Sequence, residues 1–219
     1  MPVKKLSLTL FCTILFWTLT ACSEQQAFER YFDVLPVFWG QIYQQGGETL
    51  YCGEAFGPDK GRSINVEHVY PMSWAMKGEG CEDRDQCRAS SSRFNRIEAD
   101  MHNLYPARKE INKRRGSFPF GMVQGERREF GPCDFEFDSR RRNVEPRPAV
   151  RGNIARAMFY MHETYDLKIF RRQAELLKRW NREDPPDQEE KRRNQAIAKL
   201  QGNRNRFVDD PKEIDRLRF

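Results

Sequence analysis

Four cysteines, Cys52, Cys81, Cys87 and Cys133, constrain the fold of this chain more than any other feature of its sequence. In an oxidising compartment they would form two disulfides, for which three pairings exist. Cys81 and Cys87 flank a five-residue polar loop, so a local bridge closes easily, and Cys52 with Cys133 would then tie distant segments together. A zinc site is the alternative, but the Cys81–Cys87 gap is wider than a zinc knuckle and no histidine pair follows at ligand spacing. We therefore predict two disulfides.

The N-terminal segment predicts such a compartment. Two lysines precede an uncharged apolar run, Leu6–Ala21, which is too short and too near the N-terminus for a comfortable membrane span. We therefore predict a cleaved signal peptide over residues 1–21 and export to the periplasm, the outer membrane or the medium. The sequence Leu19–Cys22 resembles a lipobox, in which Cys22 would be acylated and hold the protein on a membrane. An ordinary secretory signal that ends near a cysteine is the alternative.

The remaining chain, residues 22–219, is long enough for one domain with its own core, and we expect a monomer. Loss of the signal lowers the formal charge from +6 to +4, a mild excess that is compatible with a polyanionic partner. Arginines concentrate at 140–147, 171–182 and 203–206, where they suit phosphate contacts. Acidic residues are interspersed, so a charge-balanced, solvated surface is an equal alternative.

The spacing of apolar residues predicts a helix-rich α+β fold. Helices are expected at 26–44 with a kink at Pro36, at Phe94–Met101, from Pro106 to Arg115, across Ile154–Tyr165, across Ile169–Trp180, and at Glu189–Leu200. A strand is expected at Ser63–Tyr70, where branched and polar residues alternate before Pro71. Residues 50–62 and 77–93 are predicted as irregular loops, and residues 140–148 as a basic linker.

Residues around a central histidine suggest phosphodiester hydrolysis. That reaction needs a proton acceptor for water and a cation that takes up charge at the phosphorus. The neutral imidazole of His68, with an ordinary pKa of about 6.5, is a natural proton acceptor. The carboxylate of Glu67 and the amide oxygen of Asn103 are ligand types that suit Mg²⁺. By itself this spacing is weak evidence, because one histidine and one asparagine occur in most proteins.

A resemblance makes the interpretation much more specific. From about Tyr51 to Val208 the chain resembles the bacterial periplasmic endonuclease I family, whose catalytic core is a ββα-metal, or His-Me finger, unit. The residues that carry the resemblance are Val66–Val69 with Pro71, Glu98–Leu104 with Pro106, Asn112 and Arg115, Arg151–Arg156 with Phe159–Met161, and Ile197–Asn203.

The resemblance implies a role for each site residue. His68 would be the general base, and Glu67 and Asn103 would hold a single Mg²⁺, with Mn²⁺ and Ca²⁺ as alternatives. The strand at Ile64–Val69 and the helix from Pro106 would belong to the ββα unit. An arginine would steady the phosphate; Arg84, Arg88 and Arg115 are the candidates.

The resemblance also implies the substrate and the products. Double- and single-stranded DNA, and RNA, would be cut without regard to sequence, leaving 5′-phosphate and 3′-hydroxyl ends. The alternative is a non-catalytic, membrane-anchored lipoprotein that captures nucleic acid, although this leaves the Glu67–His68 and Asn103 blocks unexplained.

Single residues also have plainer interpretations. Asn103 could cap a helix as well as bind a metal. Glu98 and Asp100 could support the metal site or accept hydrogen bonds from nearby arginines. His102 and His162 are expected to be structural or exposed.

Overall fold

The computed structural model describes residues 28–125 and 128–219, which form a helix-rich α+β domain. The predicted signal peptide and the predicted lipidation site, Cys22, lie outside the described residues. Nine α-helices lie within them: α1 Tyr31–Val37, α2 Met72–Glu79, α3 Arg84–Ser90, α4 Ser92–Ala99, α5 Lys109–Arg115, α6 Arg151–Tyr165, α7 Arg171–Glu183, α8 Gln188–Gln201 and α9 Arg206–Asp209. The strands there are β1 Gly47–Glu48, β2 Ala55–Phe56, β3 Ile64–His68, β4 Leu104–Arg108, β5 Phe135–Asp138 and β6 Asn143–Pro146. None of the described helices is long and apolar enough to cross a membrane.

Consecutive strands pair into three small antiparallel sheets, β1–β2, β3–β4 and β5–β6. The main core surrounds α6, whose Ile154 and Met158 are fully buried and which packs against α7. This matches the predicted apolar stripe, and α7 and α8 likewise occupy the predicted helical stretches. A smaller core packs α1 against Met101, Leu104 and Ile197.

The centre of the domain is a strand–strand–helix unit. In the β3–β4 pair, Ile64 lies opposite Arg108 and His68 lies opposite Leu104. Helix α5 starts directly after β4 and contacts both strands. The predicted strand at 63–70 is therefore confirmed as β3.

The prediction that Pro106 opens a helix is wrong. Pro106 lies inside β4, opposite Val66, and the helix starts three residues later at Lys109. The missing N–H of a proline is tolerated in a strand of a two-stranded sheet, where one edge has no partner strand. The carbonyl of Pro106 still accepts a hydrogen bond from the backbone N–H of Leu50, at 2.8 Å.

Two other segments are more regular than predicted. Residues 77–93, expected to be a loop, contain the end of α2 and all of α3, and the side chain of Asp83 caps α3 by accepting from the N–H of Gln86. The supposed linker 140–148 contains β6, which pairs with β5. Both are short and polar, so they lack the apolar repeat from which helices and strands are recognised.

The predicted N-terminal helix is also modified. The described helix begins at Tyr31 and contains Pro36 without ending there. Beyond Val37 the backbone continues as a π turn over Phe38–Ile42, closed by a hydrogen bond from the N–H of Tyr43 to the carbonyl of Phe38 at 3.2 Å.

Two disulfides cross-link the domain, as the cysteine spacing favours. Cys81 and Cys87 close the local loop between α2 and α3, with Cα atoms 5.4 Å apart. Cys52 and Cys133 join segments that are 81 residues apart in sequence. The loop closed by this second bond contains β3, β4 and α5, and therefore the entire strand–strand–helix unit.

Candidate active site

A cavity of about 560 Å³ opens at the end of β3 and beside α5. Its walls include Glu67 and His68 from the end of β3, Asn112 and Arg115 from α5, and Arg84 from the start of α3. The strand–strand–helix unit thus brings one carboxylate, one imidazole and two carboxamides, those of Asn65 and Asn112, to the same space.

His68 is held as a neutral acceptor. Its Nε2 lies 3.0 Å from the carbonyl oxygen of Glu98. Because a carbonyl can only accept, Nε2 carries the hydrogen and donates it, which leaves Nδ1 with the lone pair. Burial lowers the pKa of His68 to about 4, and the positive charge of Arg84 acts in the same direction. The imidazole is therefore uncharged and able to accept a proton at neutral pH.

A tyrosine from the N-terminal helix covers one side of this histidine. The ring of Tyr31 lies 5.1 Å from the ring of His68, and the guanidinium of Arg84 lies 5.7 Å from the Tyr31 ring centre. The tyrosine therefore narrows access to the base from the side of α1.

Glu67 is buried and held from two directions. Its Oε1 accepts a hydrogen bond from the hydroxyl of Tyr51 at 2.6 Å and lies 3.1 Å from Nη1 of Arg115. Burial raises the pKa of Glu67, while Arg115, Tyr51 and the backbone N–H of His68 oppose the increase. The carboxylate thus has a fixed orientation and a compensating cation.

The two asparagines of interest have different roles. Asn103 is fully buried; its Oδ1 accepts from the N–H of Tyr70 at 2.6 Å and its Nδ2 donates to the carbonyl of Tyr70 at 3.1 Å. It does not line the cavity. The predicted metal ligand is therefore not brought to Glu67, because both ends of its amide bind the chain that follows β3.

Asn112 takes the place in the cavity that was expected for Asn103. Its Nδ2 donates to Oδ1 of Asn65 at 3.0 Å and to the carbonyl of Val66 at 2.9 Å. Within the described part of the chain, no donor binds its Oδ1. Asn112 belongs to the residues that carry the resemblance, but no role was predicted for it, although its position one helical turn before Arg115 puts both on one face of α5.

The three candidate arginines are also distinguished by their contacts. Arg84 lines the cavity, with 39% of its side chain exposed, and pairs with the carboxylate of Glu98. Arg88 does not line the cavity; its Nη2 and Nε donate to the same carboxylate at 2.8 and 2.9 Å. Burial raises the pKa of Glu98, but these two arginines outweigh it and the net direction is downward.

Arg115 is only 1% exposed, and its guanidinium makes its contacts within the protein. Besides Glu67, its guanidinium binds the carbonyls of His68, at 3.1 Å, and Val69, at 2.6 Å. It therefore fixes the backbone that carries the base, whereas Arg84 is the arginine with exposed surface at the cavity.

Two other residues of the Glu98–Leu104 block belong to a separate network. Asp100 accepts hydrogen bonds from the hydroxyls of Tyr160 and Tyr165, both at 2.7 Å, and from Nε2 of Gln201 at 2.8 Å. His102 is buried against Tyr160, 4.5 Å between ring centres. Neither lines the cavity, so both have structural roles.

The cavity residues fit a hard divalent cation. No group of three or more histidine, cysteine, aspartate or glutamate side chains that could hold a metal occurs in the described ranges. Mg²⁺ needs no such group, since it is commonly bound by one or two protein oxygens, with water and phosphate completing the octahedron. The carboxylate of Glu67 and Oδ1 of Asn112 provide that kind of incomplete oxygen set.

The Endonuclease I family model matches residues 17–212. The chain belongs to the endonuclease I family. It is therefore an endonuclease, and the β3–β4–α5 unit with its cavity is where the resemblance placed the family's catalytic core.

Relatives of the chain include two deoxyribonucleases that match it over most of both sequences and a ribonuclease that matches about half. An extracellular deoxyribonuclease of Aeromonas hydrophila is 35% identical over 77% of this chain and 84% of its own length. A periplasmic deoxyribonuclease of the same organism is 33% identical over 92% and 93%. An extracellular ribonuclease of Bacillus amyloliquefaciens is 33% identical over 54% and 46%. The words extracellular and periplasmic in the names of these relatives agree with the export predicted from the N-terminal segment.

Proposed function

We propose that the protein is an exported, divalent-metal-dependent endonuclease that hydrolyses DNA, and also RNA, with His68 as general base. The observation that carries the proposal is the buried His68, held neutral by the carbonyl of Glu98 beside the buried carboxylate of Glu67. A histidine held in this tautomer has its basic nitrogen available for water.

Hydrolysis begins with a water molecule that donates a hydrogen bond to Nδ1 of His68. As the water oxygen forms its bond to phosphorus, its proton passes to Nδ1, and the bond from phosphorus to the 3′-oxygen breaks. The departing oxygen takes a proton from solvent, so the products carry 5′-phosphate and 3′-hydroxyl ends. The low pKa of His68 returns the proton to solvent before the next turnover.

Glu67 and Asn112 would hold the cation, which we take to be Mg²⁺, and when bound it would stabilise negative charge on the phosphate and on the leaving oxygen. Mn²⁺ and Ca²⁺ are alternatives with the same preference for oxygen. This assignment replaces Asn103 by Asn112, because only Asn112 reaches the cavity. Tyr51 and Arg115 keep the Glu67 carboxylate in place for this role.

Arg84 is the residue we assign to the scissile phosphate. Its guanidinium is already oriented by Glu98, so it can donate further hydrogen bonds to a phosphate in the cavity without losing that contact. Arg115 acts differently, as a positioning residue for His68 and Glu67.

Relatives named deoxyribonuclease support DNA as substrate, and the relative named ribonuclease supports RNA. Recognition mainly through phosphate would explain cleavage without regard to sequence. A capture lipoprotein without catalytic activity is not favoured, because the relatives are named as nucleases. Acylation of Cys22 remains a separate prediction.

A plasmid-nicking assay on the exported, oxidised protein tests the proposal. We expect nicking with Mg²⁺, none with EDTA, and a loss of at least about 100-fold in His68→Ala. Binding of the plasmid by His68→Ala, with an unchanged circular dichroism spectrum, is the control. Cleavage that persists in EDTA, or at the normal rate in His68→Ala, would disprove the mechanism.

A further inference from the structure

A second groove, of about 990 Å³, runs between the segment Pro119–Met122 and helix α7. Its walls are fixed by hydrogen bonds. Nε2 of Gln173 on α7 donates to the carbonyl of Phe120 at 2.9 Å, and the N–H of Gly121 donates to the carbonyl of Val144 at 2.9 Å. The groove is therefore a stable part of the fold.

The groove is rich in arginine. Arg172, Arg179 and Arg182 follow one face of α7, and Arg141 comes from the turn before β6. One acidic residue, Glu175, accompanies them among the groove residues. A polyanion would be attracted to this surface.

Ion pairs distinguish these arginines from others in the chain. Arg182 binds Asp215 at 2.7 Å, but Arg172 and Arg179 form no ion pair with any residue in the described ranges. In the arginine-rich segment 203–206, by contrast, both arginines are paired: Arg204 with Asp209, and Arg206 with Glu163 and Glu213. The charge-balanced alternative therefore fits segment 203–206, whereas Arg172 and Arg179 on α7 are available to phosphate.

The groove also contains exposed apolar side chains. Across the residues the structure describes, three large hydrophobic side chains are exposed, and two of them, Met122 at 48% and Phe170 at 63%, line this groove. Phe170 stands at the start of α7, with the ammonium of Lys168 lying 5.0 Å from its ring centre. An exposed aromatic ring beside unpaired arginines is the combination that binds unpaired bases and their phosphates.

The same backbone segment borders both sites. Gly116 and Ser117 line the active-site cavity, and Pro119 lines the groove. Two residues of extended chain span at most about 7 Å, close to the length of one nucleotide. Behind this segment the guanidinium of Arg115 packs on the ring of Phe120, 4.7 Å from its centre, and so couples the two walls.

We propose that this groove binds the single-stranded part of a nucleic-acid substrate that extends from the scissile phosphate. Arg172 and Arg179 bind its phosphates, and Phe170 stacks on an unpaired base. This inference rests on the proposed nuclease function, whose site supplies the other end of the strand.

Fluorescence anisotropy in EDTA tests the groove separately from catalysis. The probes are oligothymidylates of about 16 and about 4 nucleotides, and a blunt-ended duplex. We expect Arg172→Gln/Arg179→Gln to weaken binding of the longer strand about 10-fold and to reduce its salt dependence by about 1.4 in log–log slope, since each single-strand phosphate contact contributes about 0.7. Phe170→Ala should weaken the longer strand about 5-fold or more without changing that slope.

The matched control is Lys191→Gln/Lys199→Gln on α8. It removes the same charge from two exposed lysines that form no ion pair with described residues. We expect it to bind like the wild type, and all variants to bind the short strand equally. The proposal is overturned if the control variant binds the longer strand as weakly as the α7 variant does. It is also overturned if the α7 variant loses as much affinity for the short strand as for the longer one. Equal weakening of the duplex by Phe170→Ala also overturns it. If the variants bind as expected but the protein cleaves no nucleic acid, the proposed binding in the groove is supported and only the proposed nuclease function is refuted.

Discussion

The Nε2 atom of His68 lies 3.0 Å from the backbone carbonyl of Glu98, whose side chain carboxylate pairs with Arg84 and Arg88. One residue of α4 thus orients the proposed base through its backbone and the proposed phosphate ligand through its side chain. The two functions can be separated by mutation, because a change of side chain leaves the carbonyl in place.

We expect Glu98→Gln to lower the cleavage rate about 10-fold, because Arg84 loses its charged partner while the tautomer of His68 is retained. Arg84→Ala should lower the rate about 100-fold. Single-turnover cleavage of a labelled oligonucleotide measures both. The double variant should be no slower than Arg84→Ala alone, since both changes act through one arginine. Fully additive losses would contradict this relationship.

Asn112→Ala should raise the Mg²⁺ concentration needed for half-maximal cleavage at least about 10-fold, because an oxygen of the metal site is lost. Asn103→Ala should instead lower the free energy of unfolding by about 1–3 kcal/mol, because the backbone N–H and carbonyl of Tyr70 lose their partner. Metal titration of cleavage and urea unfolding measure the two effects. A shifted metal requirement in Asn103→Ala, with Asn112→Ala normal, would restore Asn103 as the ligand.

Arg115→Met should destabilise the fold by about 3–5 kcal/mol, because it leaves the buried carboxylate of Glu67 without its cation. Glu67→Gln/Arg115→Met should be more stable than Arg115→Met, because no buried charge then remains unpaired. Urea unfolding of both variants and of Glu67→Gln completes the cycle. Additive free energies would show that the pair is not coupled.

The two disulfides should contribute unequally to stability. Loop-closure entropy assigns about 4.5 kcal/mol to the 81-residue separation of Cys52–Cys133, and about 2 kcal/mol to the six-residue separation of Cys81–Cys87. Serine substitution of each pair, followed by chemical unfolding, measures the difference. Full activity and thermal stability after reduction with dithiothreitol would show that neither bond matters.

The buried His102 predicts a loss of stability in acid. Burial lowers its pKa in the folded protein to about 4, below the ordinary 6.5. The unfolded chain therefore binds a proton first as the pH falls, and stability decreases between about pH 6.5 and pH 4, by at most about 1.4 kcal/mol per unit. His102→Gln removes this group and should make the pH dependence measured by urea unfolding less steep, leaving the contribution of His68, whose pKa burial also lowers to about 4. An equal pH slope in both proteins would contradict the assignment.

The sequence predicted that Glu67 and His68 belong to one site more accurately than it predicted the helix and strand boundaries around them. The resemblance identified His68 and Glu67 as site residues, and they lie together at the end of the predicted strand. The resemblance assigned the metal to Asn103 and gave Asn112 no role, but Asn103 binds the backbone of Tyr70 and falls before β4, whereas Asn112 lines the cavity. The helix predicted to begin at Pro106 begins at Lys109. A proline fits both the first turn of a helix and an unpaired strand edge, so sequence alone did not decide between them.

The residues around the site were harder to foresee. Tyr31 and Tyr51 are distant in sequence from the Glu67–His68 pair, and contact between such residues depends on the tertiary fold. Arg84 is partly exposed at the cavity, whereas Arg115 is buried and binds the backbone. This difference in burial cannot be predicted from the number of arginines in a segment.

The bond between Cys52 and Cys133 has a consequence for what happens to an exported protein when its backbone is cut. The residues of the proposed catalytic site, Glu67, His68, Arg84 and Asn112, lie within the covalent ring that this bond closes. A single backbone cut inside the ring, for example between the exposed Gln124 and Gly125, would leave two pieces that remain joined through sulfur. A nicked molecule would therefore keep β3, β4 and α5 packed together, and its working lifetime outside the cell would exceed the lifetime of its intact chain.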